Sequence, residues 1–412
     1  MTTPYQIHQF PNGIRLVHRR TKSKVAHFGV VINAGSRDEL PHEQGLAHFI
    51  EHMIFKGTEK RSANQVINRL DNVGADMNAF TTKEETCVYA SFLEQHYPKA
   101  IELLSDIIFH SQFPEKEILK EKAVVNDEIN SYKDNPAEWI HDEFDKILFP
   151  DHALGKNILG TPAHLKKFSR FDIQQFIARQ YSTQQIVLSS VGNVPFDRIK
   201  LLAEKYFGDQ PQSPDMPLRF KPTGYSQQSI TRKFGRHQAH LLMGNLAFDQ
   251  LDEQRYPMAL LNNLLGGPAM NSRLNLALRE KHGIAYNLES NYQPLSDTGI
   301  FTIYLGTDEK MVGKAQELVN KELEKLRSTA LGFKQMKTAR EQLKGQLAIS
   351  MESNQNEMVS IGKSILVFDK VDTLEDIHSR LDKVTAGEIL EVANHVFDPA
   401  KLSLLIFNNL KG

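Results

Sequence analysis

The sequence has 412 residues, 40% hydrophobic and 24% charged, and its 49 basic residues nearly balance 50 acidic ones. That length exceeds one ordinary hydrophobic core and predicts at least two domains. The balanced charge excludes the basic surface of a nucleic-acid-binding protein and a polybasic membrane anchor, so we expect neither nucleic acid nor membrane as a partner.

Cysteine content and the N-terminus indicate the compartment. One cysteine, Cys87, excludes an intrachain disulfide and favours a reducing environment. The first residues contain neither the apolar core of a signal peptide nor the Arg-rich helix of a transit peptide. No stretch approaches the roughly 18 consecutive apolar residues of a transmembrane helix. We therefore predict a cytoplasmic protein.

The predicted elements begin with strands. YQIHQF and IRLVHR flank the turn PNG, which is typical of a β-hairpin, and VAHFGVVINAG follows as a buried strand. Helices are predicted around residues 45–56 and 62–74, the second between a capping Ser62 and Gly74. The strands MNAF and TCVYASF precede three longer helical segments, and QQIVLSSVGNV closes the half as a strand.

The second half repeats this order. DIQQFIARQYSTQQIVLSSVGN, residues 172–193, aligns without gaps onto EILEVANHVFDPAKLSLLIFNN, residues 388–409. Apolar positions coincide, for example Leu188 with Leu404. Because the matched segments close each half, the pattern indicates a duplication rather than a chance likeness.

The organisation follows from this repeat. The segment FGDQPQSPDMPLRFKPTGYSQQ is rich in Pro, Gly, Ser and Gln, which is typical of a linker. We predict domains at 1–210 and 229–412, joined by a linker at 211–228. Strands flank helical runs rather than alternating strictly with them. This indicates an α+β fold of two homologous domains, each a mainly antiparallel or mixed sheet with helices on one face.

Two histidines frame a glutamate in GLAHFIEHMIFKGTE, residues 45–59. His48 and His52 are four residues apart, so a helix places both imidazoles on one face, where they can share a Zn²⁺ ion. Glu51 is close enough to take a proton from a water molecule that the metal polarises. The apolar residues between them would pack the helix into the core.

A third ligand must come from elsewhere, and the acid-rich segment EKEILKEKAVVNDEINSYKDNP is the natural donor. Glu121 and Glu128 lie two helical turns apart on one face, and Asp127 is a further candidate. Spacing alone does not choose among these three carboxylates. The alternative to a metal site is a core helix with hydrogen-bonded histidines, beside a second helix whose acidic face is solvated.

GLAHFIEHMIFKGT, GADMNAFTTKEETCVY and EKAVVNDEI, in this order, resemble the pitrilysin/insulinase family of zinc metallopeptidases, whose HxxEH motif is the inverzincin signature. The likeness is nearest to the short two-domain branch, which includes the mitochondrial processing peptidase β subunit and its bacterial relatives. It spans the chain from the first strands to the last. It implies a clamshell of two domains around a chamber.

The resemblance also implies roles for individual residues. His48, His52 and Glu128 match the ligands of one Zn²⁺ ion per chain, and Glu51 matches the general base. Glu121 matches the acidic residue that supports the site without touching the metal.

Further matches concern the substrate. Asn78 and Ala79 match the edge strand that pairs with an extended substrate. In GGPAMNSRLNLALREKHGIAYNLES, Arg279 and Tyr286 match the pair that contacts the substrate carbonyl and the oxyanion. Without the resemblance, we would expect Arg279 at an exposed helix end and Tyr286 in the core. The motif helix aligns onto LNNLL, residues 261–265, which keeps no ligand.

The function implied is that of a zinc-dependent metalloendopeptidase acting on peptides or small unfolded proteins that fit a closed chamber. A homodimer is expected, and a heterodimer with a degenerate homologue is the other arrangement. One alternative function is a catalytically silent structural or partner subunit, which the complete ligand set argues against. Another is metal-dependent hydrolysis of a non-peptide, which the predicted MNAF edge strand argues against.

Overall fold

The structure is a computed structural model that describes residues 4–212, 218–234 and 238–409. Within these ranges the strands form two sheets. The first sheet contains β1 (Tyr5–Gln9), β2 (Arg15–Arg20), β3 (Val25–Ile32), β4 (Asp76–Thr81), β5 (Thr86–Leu93) and β6 (Ile186–Gly192). The second contains β7 (Ser229–Lys233), β8 (Ala239–Ala247), β9 (Asn287–Pro294), β10 (Gly299–Thr307) and β11 (Ser403–Asn408).

The two sheets share one topology. The first has the order β1-β2-β6-β3-β5-β4 and the second β7-β11-β8-β10-β9. In each, one pair is parallel, β2 with β6 and β7 with β11. The other neighbours are antiparallel. The match, with β1 as the extra strand of the first sheet, supports the duplication. The predicted α+β fold with two similar domains and mixed, mainly antiparallel sheets is confirmed.

Helices surround both sheets. The shorter ones are α1 (Leu46–Met53), α2 (Ala63–Asp71), α6 (Pro162–Leu165), α7 (Arg170–Gln180), α13 (Leu374–Lys383) and α14 (Ala386–Val396). The longer ones are α3 (Tyr97–Phe109), α4 (Glu115–Lys133), α5 (Pro136–Leu148), α8 (Phe196–Phe207), α9 (Arg255–Gly266), α10 (Val312–Ser328), α11 (Phe333–Ser350) and α12 (Asn354–Phe368). Across the described ranges, no helix combines the length and apolarity needed to cross a bilayer.

The chain forms two compact units, each discontinuous in sequence. The first unit takes its described residues from Met1–Asn130, Lys156–Arg219 and Ile349–Thr373. The second takes them from Ser131–Gly155, Phe220–Ala348 and Leu374–Gly412. Each half of the chain thus contributes one helix to the other unit, α5 in one direction and α12 in the other. These units differ from the continuous domains predicted at 1–210 and 229–412. One of the points at which the chain passes between the units, after Arg219, lies within the predicted linker.

Helix α12 covers the second face of the first sheet. Ile361 and Ile365 are buried there in one apolar cluster with Val17 and Val187 of the strands. Gly362 allows this close approach, because a Cβ at that position would lie 2.8 Å from Val31 Cγ2. The sequence prediction placed helices on one face of each sheet only, whereas packing against this helix buries the second face as well.

The second sheet is covered in the same manner by α5. Phe144 of this helix is fully buried in a cluster with Leu242, Leu405 and Phe407. Both exchanged helices directly follow a long helix, α4 or α11, at equivalent points of the repeat. The exchange of a helix is therefore a feature that both copies of the repeat share.

A buried histidine joins three elements of the first unit. His18 Nε2 lies 2.9 Å from the carbonyl oxygen of Val194, so this nitrogen donates. His18 Nδ1 lies 3.1 Å from Ser190 Oγ, which also lies 3.0 Å from the hydroxyl of Tyr97. Burial is the main cause that lowers the pKa of His18. The folded protein thus holds this imidazole neutral.

We predict that acidification destabilises the protein partly through His18. Its contribution is complete above the unfolded pKa, near 6.5, and is lost as the pH falls below that value, because only the unfolded state takes up the proton. The free energy of urea unfolding should fall less between pH 7.5 and 5.5 in His18→Asn than in the parent, by about 1 kcal/mol. The exposed His42→Asn is the control. An identical pH dependence in His18→Asn and the parent would contradict the prediction.

Candidate active site

Helix α1 carries the HFIEH motif, with its apolar residues in the core and its polar residues on the other face. Phe49, Ile50 and Met53 are completely buried in the core of the first unit, as predicted. The spacing of these three residues fixes the rotation of the helix, so the intervening polar side chains share the remaining face. His48 is buried, and Glu51 and His52 are half-buried.

The start of α1 requires a glycine. Gly45 has a φ of 94°, and a Cβ there would lie 2.7 Å from the Cα of Gly160. A glycine has no side chain to cap the helix, and the Glu39 carboxylate supplies the cap instead. Its Oε2 accepts from the Gly45 N–H at 2.9 Å and its Oε1 from the Ala47 N–H at 2.8 Å. Two backbone N–H groups at the start of the helix, which have no acceptor within it, thereby gain one.

Helix α4 brings a carboxylate to both imidazoles. Glu128 Oε1 lies 3.7 Å from His48 Nε2, and Glu128 Oε2 lies 3.6 Å from His52 Nε2. One ligand atom from each of these three residues lies within 4.8 Å of the other two. The sequence did not decide which of three carboxylates is the third ligand. The structure brings Glu128 into this cluster, while Asp127 is exposed.

Glu121 occupies the opposite side of His52. Its Oε1 lies 2.9 Å from His52 Nδ1, and its Oε2 lies 2.6 Å from the Nζ of Lys56. The carboxylate accepts from Nδ1, which leaves the Nε2 lone pair directed toward Glu128. This is the position expected of a residue that supports a metal ligand.

The donor set fits a zinc ion. Two imidazole nitrogens and one carboxylate are ligands that zinc prefers, and three protein ligands are typical of catalytic sites, which keep a position for water. Burial, followed by the nearby His52, lowers the pKa of His48 to about 3, so its imidazole is neutral and able to coordinate. Burial also lowers the pKa of His52, but Glu121 and Glu128 raise it overall. A raised pKa favours the protonated form of His52, and a bound cation would displace the proton from its coordinating nitrogen.

Glu51 lies beside the cluster without belonging to it. Its carboxyl is partly buried, and this burial is the main cause that raises its pKa above the usual value. The charges of His52 and Glu128 also act on it, in opposite directions. A carboxylate with a raised pKa next to the ligand set is suited to accept a proton near neutral pH.

Strand β4 lies at an edge of the first sheet and pairs with β5 alone. Asn78 is exposed and Ala79 is half-buried. The Ala79 N–H donates to Asn78 Oδ1 at 2.8 Å, so the Asn78 side chain covers a backbone donor. An added strand must therefore displace this side chain to reach the Ala79 N–H.

Arg279 and Tyr286 lie in the second unit. Arg279 is exposed on the short π-helix Asn275–Glu280, in agreement with the helix-end expectation. Tyr286 is 60% exposed, and its hydroxyl donates to Asp308 Oδ1 at 3.3 Å. The expectation of a core tyrosine, made without the resemblance, is wrong, because the preceding Ile284 and Ala285 take the buried positions.

Two residues that contact the site were missed from sequence. Glu39 caps α1 from six positions before Gly45, outside the usual capping patterns. Lys56 follows His52 by four residues, and this helical spacing was an available signal for a contact near the same side chains.

Family models match both halves of the chain. Residues 15–162 match the insulinase model of peptidase family M16, and residues 167–343 match the model of the peptidase M16 inactive domain. A Bacillus subtilis protein named uncharacterized zinc protease YmxG is 37% identical over 94% of each chain. A Rickettsia bellii protein named uncharacterized zinc protease is 32% identical over 100% of each chain.

Solved structures show the same fold. A crystal structure of a Helicobacter pylori protease has a TM-score of 0.92 at 20% identity, covering 98% of this chain and 99% of that one. A Pseudomonas fluorescens structure described as a peptidase M16 inactive domain also has a TM-score of 0.92, at 19% identity, covering 100% and 99%. The chain belongs to peptidase family M16, the insulinase family, which confirms the resemblance stated from the sequence.

We predict that Glu39→Ala destabilises α1 and the ligand pair it carries. The free energy of unfolding should fall by about 1–2 kcal/mol, because two backbone donors lose their acceptors. Urea unfolding of the zinc-free protein measures this, with the exposed Glu59→Ala as a control. Equal stability of the two variants would show that the Glu39 cap contributes nothing.

Proposed function

We propose that this protein is a zinc-dependent metalloendopeptidase that hydrolyses peptides or small unfolded proteins. The observation that carries the proposal is the convergence of His48, His52 and Glu128 beside the carboxyl of Glu51. Relatives named zinc proteases along nearly the full length support it.

The chain's own residues divide the work. The two imidazoles and Glu128 would hold a zinc ion, which would supply a Lewis acid to polarise a carbonyl and acidify water. Glu51 takes the proton of the attacking water and returns it to the departing amide nitrogen. Glu121 holds His52 in the tautomer that leaves Nε2 unprotonated.

Substrate contacts form the second part of the proposal. Strand β4, at Asn78 and Ala79, binds an extended peptide by main-chain hydrogen bonding, which gives affinity with limited sequence preference. Arg279 and Tyr286 donate to the carbonyl oxygen as it gains negative charge. The exposure of both side chains is compatible with that role, and the family resemblance assigns it.

A catalytically silent subunit of the same fold is the alternative. Its expected mark is the loss of a ligand or of the base, and this chain retains His48, Glu51, His52 and Glu128. The homodimer, the heterodimer with a degenerate homologue, the enclosed chamber and the cytoplasmic location stay predictions. They rest on the resemblance and on composition.

We predict that Glu51→Gln removes activity while keeping the metal. Hydrolysis of a fluorogenic peptide should fall about 100-fold or more, because the amide cannot accept the proton of water. Zinc per chain, measured by inductively coupled plasma mass spectrometry, should stay at the parental value. A variant that cleaves as fast as the parent would refute the general-base role. A zinc-loaded parent that cleaves no member of an unstructured peptide library would favour the silent subunit.

We predict that Glu128→Gln weakens zinc binding and that Asp127→Asn does not. The two residues are neighbours on α4, but only Glu128 reaches both Nε2 atoms. After dialysis against a chelator of moderate affinity, Glu128→Gln should lose its zinc and Asp127→Asn should keep it. The opposite result would assign the third ligand to Asp127, and retention by both would direct attention to Glu121.

A further inference from the structure

Lys56 lies in the turn that follows α1, and this turn has a fixed course. The Lys56 N–H donates to the Met53 carbonyl at 3.1 Å, and the Gln112 N–H donates to the Gly57 carbonyl at 3.1 Å. Gly57 also forms a β-bridge with Ser62. The backbone that presents the Lys56 side chain is therefore anchored on both sides.

The Lys56 ammonium contacts a buried carboxylate. Its Nζ lies 2.6 Å from Glu121 Oε2, while Glu121 Oε1 lies 2.9 Å from His52 Nδ1. The Glu121 side chain is only 7% exposed, and that of Lys56 is 29% exposed. Each carboxylate oxygen thus has one defined partner.

The burial of the Glu121 carboxylate makes its negative charge costly unless its partners compensate it. A carboxylate removed from water needs a close cation or several donors, and removal of one partner leaves an uncompensated charge. His52 must be neutral when Nε2 coordinates a metal. Among the ion pairs of the described residues, those of Glu121 are with His52 and Lys56, so Lys56 then remains as the full positive charge beside Glu121.

The lysine also defines the direction of the hydrogen bonds. Lys56 has only donors, so Oε2 of Glu121 accepts from it. The carboxylate is thereby oriented with Oε1 as the acceptor for the Nδ1–H of His52. This leaves the lone pair of His52 on Nε2, toward Glu128.

We propose that Lys56 is a positioning residue of the zinc site, which acts by holding the Glu121 carboxylate against His52. The inference rests on the proposed role of His52 as a zinc ligand. Among the described residues, the ion-pair partner of Lys56 is Glu121, so its effect on His52 passes through that carboxylate.

A second lysine–glutamate pair provides a matched comparison. Lys120 Nζ lies 2.7 Å from Glu117 Oε1, with side chains 57% and 25% exposed. The ion-pair partners of His52 among the described residues are Glu121 and Glu128. Exposed pairs of this kind contribute little, about 0–1 kcal/mol. Lys56 and Lys120 line the same cleft of about 690 Å³. The cleft gives small solutes access to the position of the Lys56 side chain.

The test measures zinc affinity rather than turnover. Zinc dissociation constants of the parent, Lys56→Met and Lys120→Met are determined by competition with a chromophoric chelator. Lys56→Met should bind zinc about 10-fold more weakly, the effect expected when the partner of a metal-bound histidine is disturbed. Lys120→Met should match the parent within about two-fold.

Chemical rescue separates positioning from a general loss of structure. In Lys56→Ala, methylammonium can enter the cleft and donate to Glu121, whereas tetramethylammonium has equal charge and no N–H donor. Methylammonium should restore zinc affinity in Lys56→Ala and leave Lys120→Ala unchanged. Tetramethylammonium should restore neither. Both amines are compared on the same Lys56→Ala protein, so the comparison does not depend on the stability of Lys56→Met.

The outcomes are distinguishable. If the parent binds zinc and Lys56→Met binds it equally well, the positioning role is overturned and the proposed function stands. If Lys56→Met binds weakly but neither amine restores affinity in Lys56→Ala, the donor role of Lys56 is overturned. If the parent binds no zinc, the proposed function fails and this inference fails with it.

Discussion

The contact between His52 Nδ1 and the Glu121 carboxylate joins the two helices on which the candidate site depends. Helix α1 supplies the histidines and the base, and α4 supplies both glutamates. With eight residues, α1 is too short to be stable alone, so its position comes from packing and from the cap at Gly45. The Glu39 cap, the packing of the apolar face of α1 and the Glu121 carboxylate together fix the imidazoles before any metal is bound.

Among the described residues, the cluster of candidate ligands lies in one half of the duplication, and the equivalent helix of the other half has a different role. Helix α9 holds the place of α1 in the second unit, and the aligned segment 261–265 lies within it. Leu261 and Leu265 are completely buried there, and Asn263 is buried as well. The same helix thus serves packing in one half and the candidate metal site in the other. The exchanged helices α5 and α12 each pack against the second face of one sheet.

Much of this architecture was predictable from local pattern. The i, i+4 spacing of His48 and His52 predicts their shared helix face, and the strand segments together with the repeat predict two similar sheets. Local spacing did not choose between Glu121 and Glu128, because both lie on one face of α4. The choice depends on how α4 crosses α1. The exchanged helices depend on contacts distant in sequence, which periodicity does not encode. The Glu39 cap spans only six to eight residues, but this spacing lies outside the usual capping patterns.

The central claim is that His48, His52 and Glu128 hold a zinc ion. X-ray absorption at the zinc edge of the reconstituted protein tests it most directly. The account predicts one zinc per chain, with two imidazole nitrogens at about 2.0–2.1 Å, carboxylate oxygen at about 2.0–2.2 Å and no sulfur. In Glu128→Gln the carboxylate oxygen contribution should be lost while any residual zinc retains both imidazoles. A spectrum with sulfur ligands, or with fewer than two imidazoles in the parent, would contradict the account.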